Sequence, residues 1–274
     1  MTDDLLATCW TFAGAIDPFA DDPKSPHEPI ERLRTIAAHG FSGADFLFGD
    51  LRGRDLDAIA AEMDSLGITH RQVELVWNWW EDDAAGALDE AFALAAGIGA
   101  TQIKAAPDLD NPSRPLWDLR DPWVRFAERS AGIGAQAVIE PLPFSHLRTV
   151  EDGARFVQGA GHPNGGIVID YWHVVRGGST LETLRAALDP AHVMAVELCD
   201  GRGPKKPGVD MLVDANTARE LPGEGEWDVR GLVTMLREIG YVGPWGVEMP
   251  APWFLELPLE EAVARAAAAT RSVL

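Results

Sequence analysis

The chain is poor in positive charge. Its 274 residues carry 23 Lys and Arg against 43 Asp and Glu, a formal net charge of −20. That balance argues against binding nucleic acid, where affinity rests largely on neutralising phosphates. No basic run is longer than Lys205-Lys206, so an anionic substrate would need its own local cation. Cysteine is scarce as well. Cys9 and Cys199 have no CxxC spacing and fall in predicted strands, which predicts buried free thiols and not a disulfide or a cysteine metal motif. No apolar run reaches 18 residues, and MTDDLLATCWTF has no basic segment ahead of a long apolar stretch. The expectation is a soluble, cytoplasmic protein with no membrane span. The first strand-to-helix turn lacks GxGxxG, so the dinucleotide-binding fingerprint is missing.

What is present is a repeated design. AQAVIEPLP (135–143) is an apolar run that ends in Glu140, followed by Pro141 and Pro143. GIVIDYWH (166–173) ends in Asp170 and His173, VMAVELCD (193–200) carries Glu197 and Asp200, and PWGVEMP (244–250) carries Glu248. Short apolar runs bounded by Gly or Pro predict buried strands. An acid at the end of one such strand is commonly a helix cap or a loop ion pair. Four acids at a repeated position predict one shared site, because buried acids need a partner or a cation.

Four earlier runs complete the pattern: 5–12, 41–49, 68–77 and 101–107. Between and after the strands lie predicted helices at 29–40, 56–67, 87–99, 123–134, 149–161, 179–190, 227–240 and 259–274. Pro29 opens the first, Ser179 is a candidate N-cap, and Gly40, Gly67 and Gly240 close helices. Eight strands alternating with eight helices predict a single-domain (β/α)8 TIM barrel over residues 1–274, with its site at the C-terminal ends of the strands. Lys104 and Glu74 lie on predicted strands and face inward if the register is right, where Lys104 could bind a substrate oxygen or pair with an acid. The ten tryptophans include Trp10, Trp77, Trp79, Trp80, Trp172 and Trp253 near strand ends. There they could cover the apolar faces of a sugar, form rim packing, or support a homodimer.

The set IEPLP, NGGIVIDYWH, VELCDG, RELPGEGE and GVEM resembles the sugar phosphate isomerase/epimerase superfamily of xylose isomerase-like barrels. The resemblance covers nearly the whole chain and is densest from 138 to 250. It implies a divalent metal held by Glu140, Asp170, Glu197 and Glu248. Glu197 departs from the family, which usually has a neutral ligand there. An all-oxygen set suits Mn2+ or Mg2+ better than Zn2+ or Co2+. The alternative is that Glu197 pairs with a neighbouring Arg or His and leaves three ligands.

In the resembling epimerases the first and last Glu move protons, which makes Glu140 and Glu248 the acid/base pair here. A cation there polarises a carbonyl and stabilises an enediolate. His173, in DxxH spacing, and Arg219 match positions near substrate. Arg202, Lys104, Trp10 and Trp172 are further candidates for substrate contact. The implied activity is isomerisation or epimerisation of a small carbohydrate or keto-polyol. The alternatives are a dehydratase or lyase (inosose- or dehydroshikimate-type, or β-elimination on a 3-oxo-glycoside) and a non-catalytic barrel subunit. The predicted mouth has few Lys or Arg, which leans against a phosphorylated substrate.

Overall fold

The computed structural model describes residues 3–81 and 85–274. Eight parallel strands close into a barrel. They are β1 (Leu5–Ala7), β2 (Gly43–Leu47), β3 (His70–Val76), β4 (Gln102–Ala105), β5 (Gln136–Ile139), β6 (Gly165–Asp170), β7 (Val193–Leu198) and β8 (Trp245–Val247). Each pairs with the next in sequence, and β8 returns to β1 through Leu6 opposite Gly246. Helices on the outside join successive strands, as alternating β and α segments require.

Local signals explain the helix ends. Asp55 accepts the Ala58 N–H at 3.0 Å and starts the helix Leu56–Leu66. Gly67, at φ 70°, stops it in a left-handed turn that a side chain would strain. The helix Leu181–Ala187 is capped by Thr180, whose hydroxyl accepts the Thr183 N–H at 3.1 Å. Ser179, the expected cap, instead donates to Glu151 Oε2 at 2.5 Å.

Strand residues alternate between the barrel interior and the helix layer. On β2, Phe46 faces outward against Phe12, 5.3 Å between ring centroids, and lies under the buried Arg32 guanidinium. Its neighbour Asp45 therefore faces inward. The main apolar core lies between strands and helices, and a small inner cluster of Val138, Val168, Met194 and Ala195 fills part of the barrel interior. The other inward positions near the C-terminal strand ends are mostly charged. Gly246 matters here. A Cβ at this position would lie 2.4 Å from the Val196 carbonyl and 3.3 Å from Glu197 Cγ, so only glycine lets β8 lie beside β7 at the Glu197 level.

Three segments differ from the sequence expectation. β1 ends at Ala7, and Cys9–Phe12 is a short helix; the apolar run outlasts the strand. β6 ends at Asp170, whose carboxylate accepts the Trp172 and His173 N–H groups at 2.6 and 3.2 Å and starts the helix Tyr171–Arg176. The stretch between β7 and the helix expected at 227–240, for which no element was expected, contains the helix Met211–Thr217, capped by Asp210. Both cysteines are free and buried, Cys9 on a helix and Cys199 just past β7. Among the described residues, no helix is long and apolar enough to cross a membrane.

Candidate active site

The strand-terminal acids converge. One carboxylate oxygen from each of Glu140, Asp170, Glu197 and Glu248 lies within 4.8 Å of the others. All four residues are buried. β6 and β7 place Asp170 opposite Glu197 in register, while Glu140 and Glu248 immediately follow β5 and β8.

Two buried cations serve the cluster. Lys104 Nζ lies 2.6 Å from Glu197 Oε1, 2.5 Å from Glu74 Oε2 and 3.7 Å from Glu140 Oε2. Arg219 Nη1 lies 2.6 Å from Asp170 Oδ2 and 3.7 Å from Glu248 Oε2, and its Nε donates to the Ala215 carbonyl at 2.9 Å. His173 Nε2 is 3.2 Å from Glu140 Oε1.

These neighbours separate the proton affinities of the acids. Burial would raise Asp170, but the Arg219 guanidinium and His173 hold it well below the usual carboxylate range. Glu140 is also lowered, because Lys104 and then His173 outweigh its burial. Burial pushes Glu197 up to about 8; Lys104 opposes this and Glu140, Glu74 and Asp170 add to it. Glu248 is raised well above the ordinary value by burial and by the surrounding acids, against the pull of Arg219.

The donors fit a divalent cation. Glu197 Oε2 and Glu248 Oε2 are buried with no hydrogen-bond partner, an arrangement that costs stability unless something positive sits beside them. Opposite oxygens around a six-coordinate ion are about 4.2 Å apart for Mg2+ and about 5 Å for Ca2+, taking twice the bond length. Donor oxygens no more than 4.8 Å apart are close enough to share one such ion. Six inward acids, counting Glu74 and Asp45, face two permanent cations, so the balance of charge falls to bound protons or a bound cation.

A cavity of about 680 Å³ opens above this floor, and its lining includes Glu74, Glu140, His173, Arg219, Glu248 and Trp10. Asp170, Glu197 and Lys104 lie beneath and do not line it; Lys104 is fully buried among its acids. Trp172 is fully buried and meets the His173 ring edge-on, 5.0 Å between centroids. Arg202 is exposed and binds Glu220 Oε1 at 3.0 Å and the Glu224 carbonyl at 2.7 Å, away from the cavity. Of the other tryptophans, Trp77 lines the cavity and Trp79 is core, bonded to the Ala106 carbonyl at 2.8 Å.

A second group, made of residues the motifs did not mark as a site, adjoins the first through Lys104. The Cys9 thiol donates to Glu74 Oε1, and Asp45 lies beside them with both oxygens unpartnered. Burial and then Glu74 raise Asp45 well above its ordinary value. Alternation along β2 and β3 was the signal available, since it points Asp45 and Glu74 into the same interior.

Fold and site define a (β/α)8 barrel with an acid cluster at the C-terminal ends of its strands. Residues 33–273 match the xylose isomerase-like TIM barrel family, and the chain belongs to that family. It is 25% identical to a 3-dehydroshikimate dehydratase of Pseudomonas aeruginosa over 234 residues, 80% of this chain and 36% of that enzyme. It is 28% identical to an inosose isomerase of Bacillus velezensis over 132 residues, 48% of this chain and 45% of that one. The chain thus spans less than half the length of each of these relatives. An IOLI protein solved with a bound zinc atom superposes with a TM-score of 0.78 at 18% identity, covering 99% of this chain and 98% of its own.

Proposed function

We propose that the protein is a divalent-metal-dependent isomerase or epimerase of a small carbohydrate or keto-polyol. The observation that carries this reading is the pair Glu140 and Glu248. Both open on the cavity, both sit at the rim of the acid cluster, and their proton affinities are pushed in opposite directions. Two carboxyls so separated divide the roles of base and acid.

Glu140, Asp170, Glu197 and Glu248 would hold the metal. Once bound, the metal supplies a Lewis acid that polarises a carbonyl and stabilises the negative charge developing beside it. Glu140 accepts a proton from the carbon next to the carbonyl, and His173 beside it steadies the carboxylate. Glu248 returns a proton from its own side of the cavity. Return to the same carbon inverts it, and return to the neighbouring carbon isomerises the sugar. Arg219 fixes Asp170 and reaches the cavity wall, where its remaining donors can orient a hydroxyl.

Dehydration is the second reading. It is favoured by the similarity to the 3-dehydroshikimate dehydratase, which runs over more of the chain than the inosose isomerase match does. The same proton abstraction followed by departure of a β-hydroxyl gives that outcome.

The test is incubation of metal-supplemented protein in D2O with ketoses, inososes and 3-dehydroshikimate. The reading expects deuterium at a carbon adjacent to the carbonyl, lost in Glu140→Gln and Glu248→Gln. Loss of water detected by mass would move the assignment to the dehydratase. No exchange and no water loss in any substrate contradicts both.

A further inference from the structure

The chemistry proposed above uses only the floor of the cavity. The cavity measures about 680 Å³, the middle of the roughly 300–1,000 Å³ range that encloses drug-sized ligands. A lone monosaccharide set over Glu140 and Glu248 leaves much of that space open.

Much of the rest of the wall is apolar, beside the polar Asp21, Asp22, Arg52 and Asn216. Trp10, Phe48, Trp77, Leu142, Phe144 and Leu212 contribute to it. Trp77 follows β3, Leu142 and Phe144 follow β5, and Leu212 comes from the helix Met211–Thr217, so the surface is assembled from separate loops. Trp77 is 50% exposed and Leu212 41% exposed. Large apolar side chains this open, gathered on the wall of a cavity above a polar floor, mark a surface that a ligand covers.

Charge narrows the ligand further. Among the described lining residues the Lys and Arg members are Arg52 and Arg219, and both are engaged. Arg52 is held by Asp22 at 2.6 Å and Glu90 at 3.1 Å, and Arg219 by Asp170 at 2.6 Å. Asp21 and Asp22 add negative charge to the lining. A phosphate would find each Arg there already neutralised by an acid partner and would meet the like charge of Asp21 and Asp22.

The geometry points to a substrate that is an uncharged sugar derivative bearing an aromatic or similarly flat apolar group. The sugar sits over the acids and the apolar group lies against Trp77 and Leu212. This inference rests on the reading of the site as one that acts on a sugar. Trp77 is a specificity residue in it, since a flat aromatic face stacks on a flat partner with little loss of side-chain freedom.

The test is calorimetric binding to the metal-supplemented full chain of matched methyl and phenyl β-glycosides of glucose, galactose and xylose, with glucose and glucose 6-phosphate alongside. In at least one pair the phenyl member is expected to bind about tenfold tighter. Trp77→Ala should erase most of that ratio. Leu212→Ala, on a separate helix, should reduce it independently. Glucose 6-phosphate should bind no tighter than glucose.

Equal binding of phenyl and methyl members in every pair, including no binding by either at millimolar concentration, overturns the inference. A ratio unchanged in both variants, or a preference for the phosphate, does the same. Deuterium exchange keeps the two readings apart. A phenyl preference without exchange in any sugar keeps the aromatic subsite but removes the enzyme reading, and with it the claim that the bound sugar is a substrate. Exchange without a phenyl preference removes only this inference.

Discussion

Lys104 Nζ lies 2.6 Å from Glu197 Oε1, and neither side chain has exposed surface. The resembling family usually has a neutral ligand at the position of Glu197, and the sequence marks Glu197 as a departure from it. Here a carboxylate occupies it, and a lysine from β4 supplies the compensating charge. Lys104→Met strands Glu197 and Glu74 without their partner, so chemical denaturation should show a loss of about 3–5 kcal/mol. Lys104→Met combined with Glu197→Gln should recover part of that loss, because the two sites are coupled. A single variant as stable as the parent contradicts the pairing.

Glu197 also sets a pH dependence. Its carboxyl is pushed up to about 8, chiefly by burial, against about 4.3 for an unfolded Glu. A raised folded value means that protonation favours the folded chain. The contribution is complete below about pH 4.3 and is lost as pH rises through about 8. Stability of metal-free protein should therefore fall across that window. A cation bound to Glu197 must expel the proton, so apparent Mn2+ affinity should climb with pH to about 8 and then level. Glu197→Gln should flatten the climb. Calorimetry in buffers of different ionisation enthalpy would count the released proton, and affinity independent of pH would count against Glu197 as a ligand.

The barrel class was legible because each acid interrupts an apolar run at the same point, and only a parallel barrel brings such points together. Glu140, Asp170, Glu197 and Glu248 stood out for that reason. Other features were hidden for equally physical reasons. LLATCWTF is apolar throughout, so nothing in it marks where strand gives way to helix. Asp170 reads as a strand-end acid, yet it also caps the helix carrying His173. Arg202 and Arg219 flank the same segment, and only folding shows that Arg219 turns inward while Arg202 pairs with Glu220. The charge on Lys104 gave no sign that it lies buried beneath the cavity.

Arg32 and Asp50 form a second buried pair, 2.6 Å apart, remote from the acid cluster in sequence. Asp50 also accepts the Ser25 N–H at 2.8 Å, and Arg32 Nε donates to the Phe12 carbonyl at 2.8 Å. The pair ties the segment around Ser25 to the barrel. Arg32→Met should cost about 3–5 kcal/mol in denaturation and leave metal content unchanged. Loss of metal in this variant would contradict the separation of the two networks.

Glu140→Gln and Glu248→Gln remove opposite halves of the proposed proton transfer. Each should lower kcat for exchange or conversion by about 10²–10⁴-fold. Equal activity in either variant contradicts the assignment of that residue.

The four converging carboxylates are proposed to hold one divalent cation. Elemental mass spectrometry of protein purified without chelator tests it directly, with Glu248→Gln and Asp170→Asn prepared in parallel. The account predicts about one divalent ion per chain in the parent, a large drop in both variants, and a gain in thermal stability when Mn2+ is restored to chelated parent protein. Metal-free parent protein whose stability is indifferent to added Mn2+, Mg2+ and Zn2+ would contradict it.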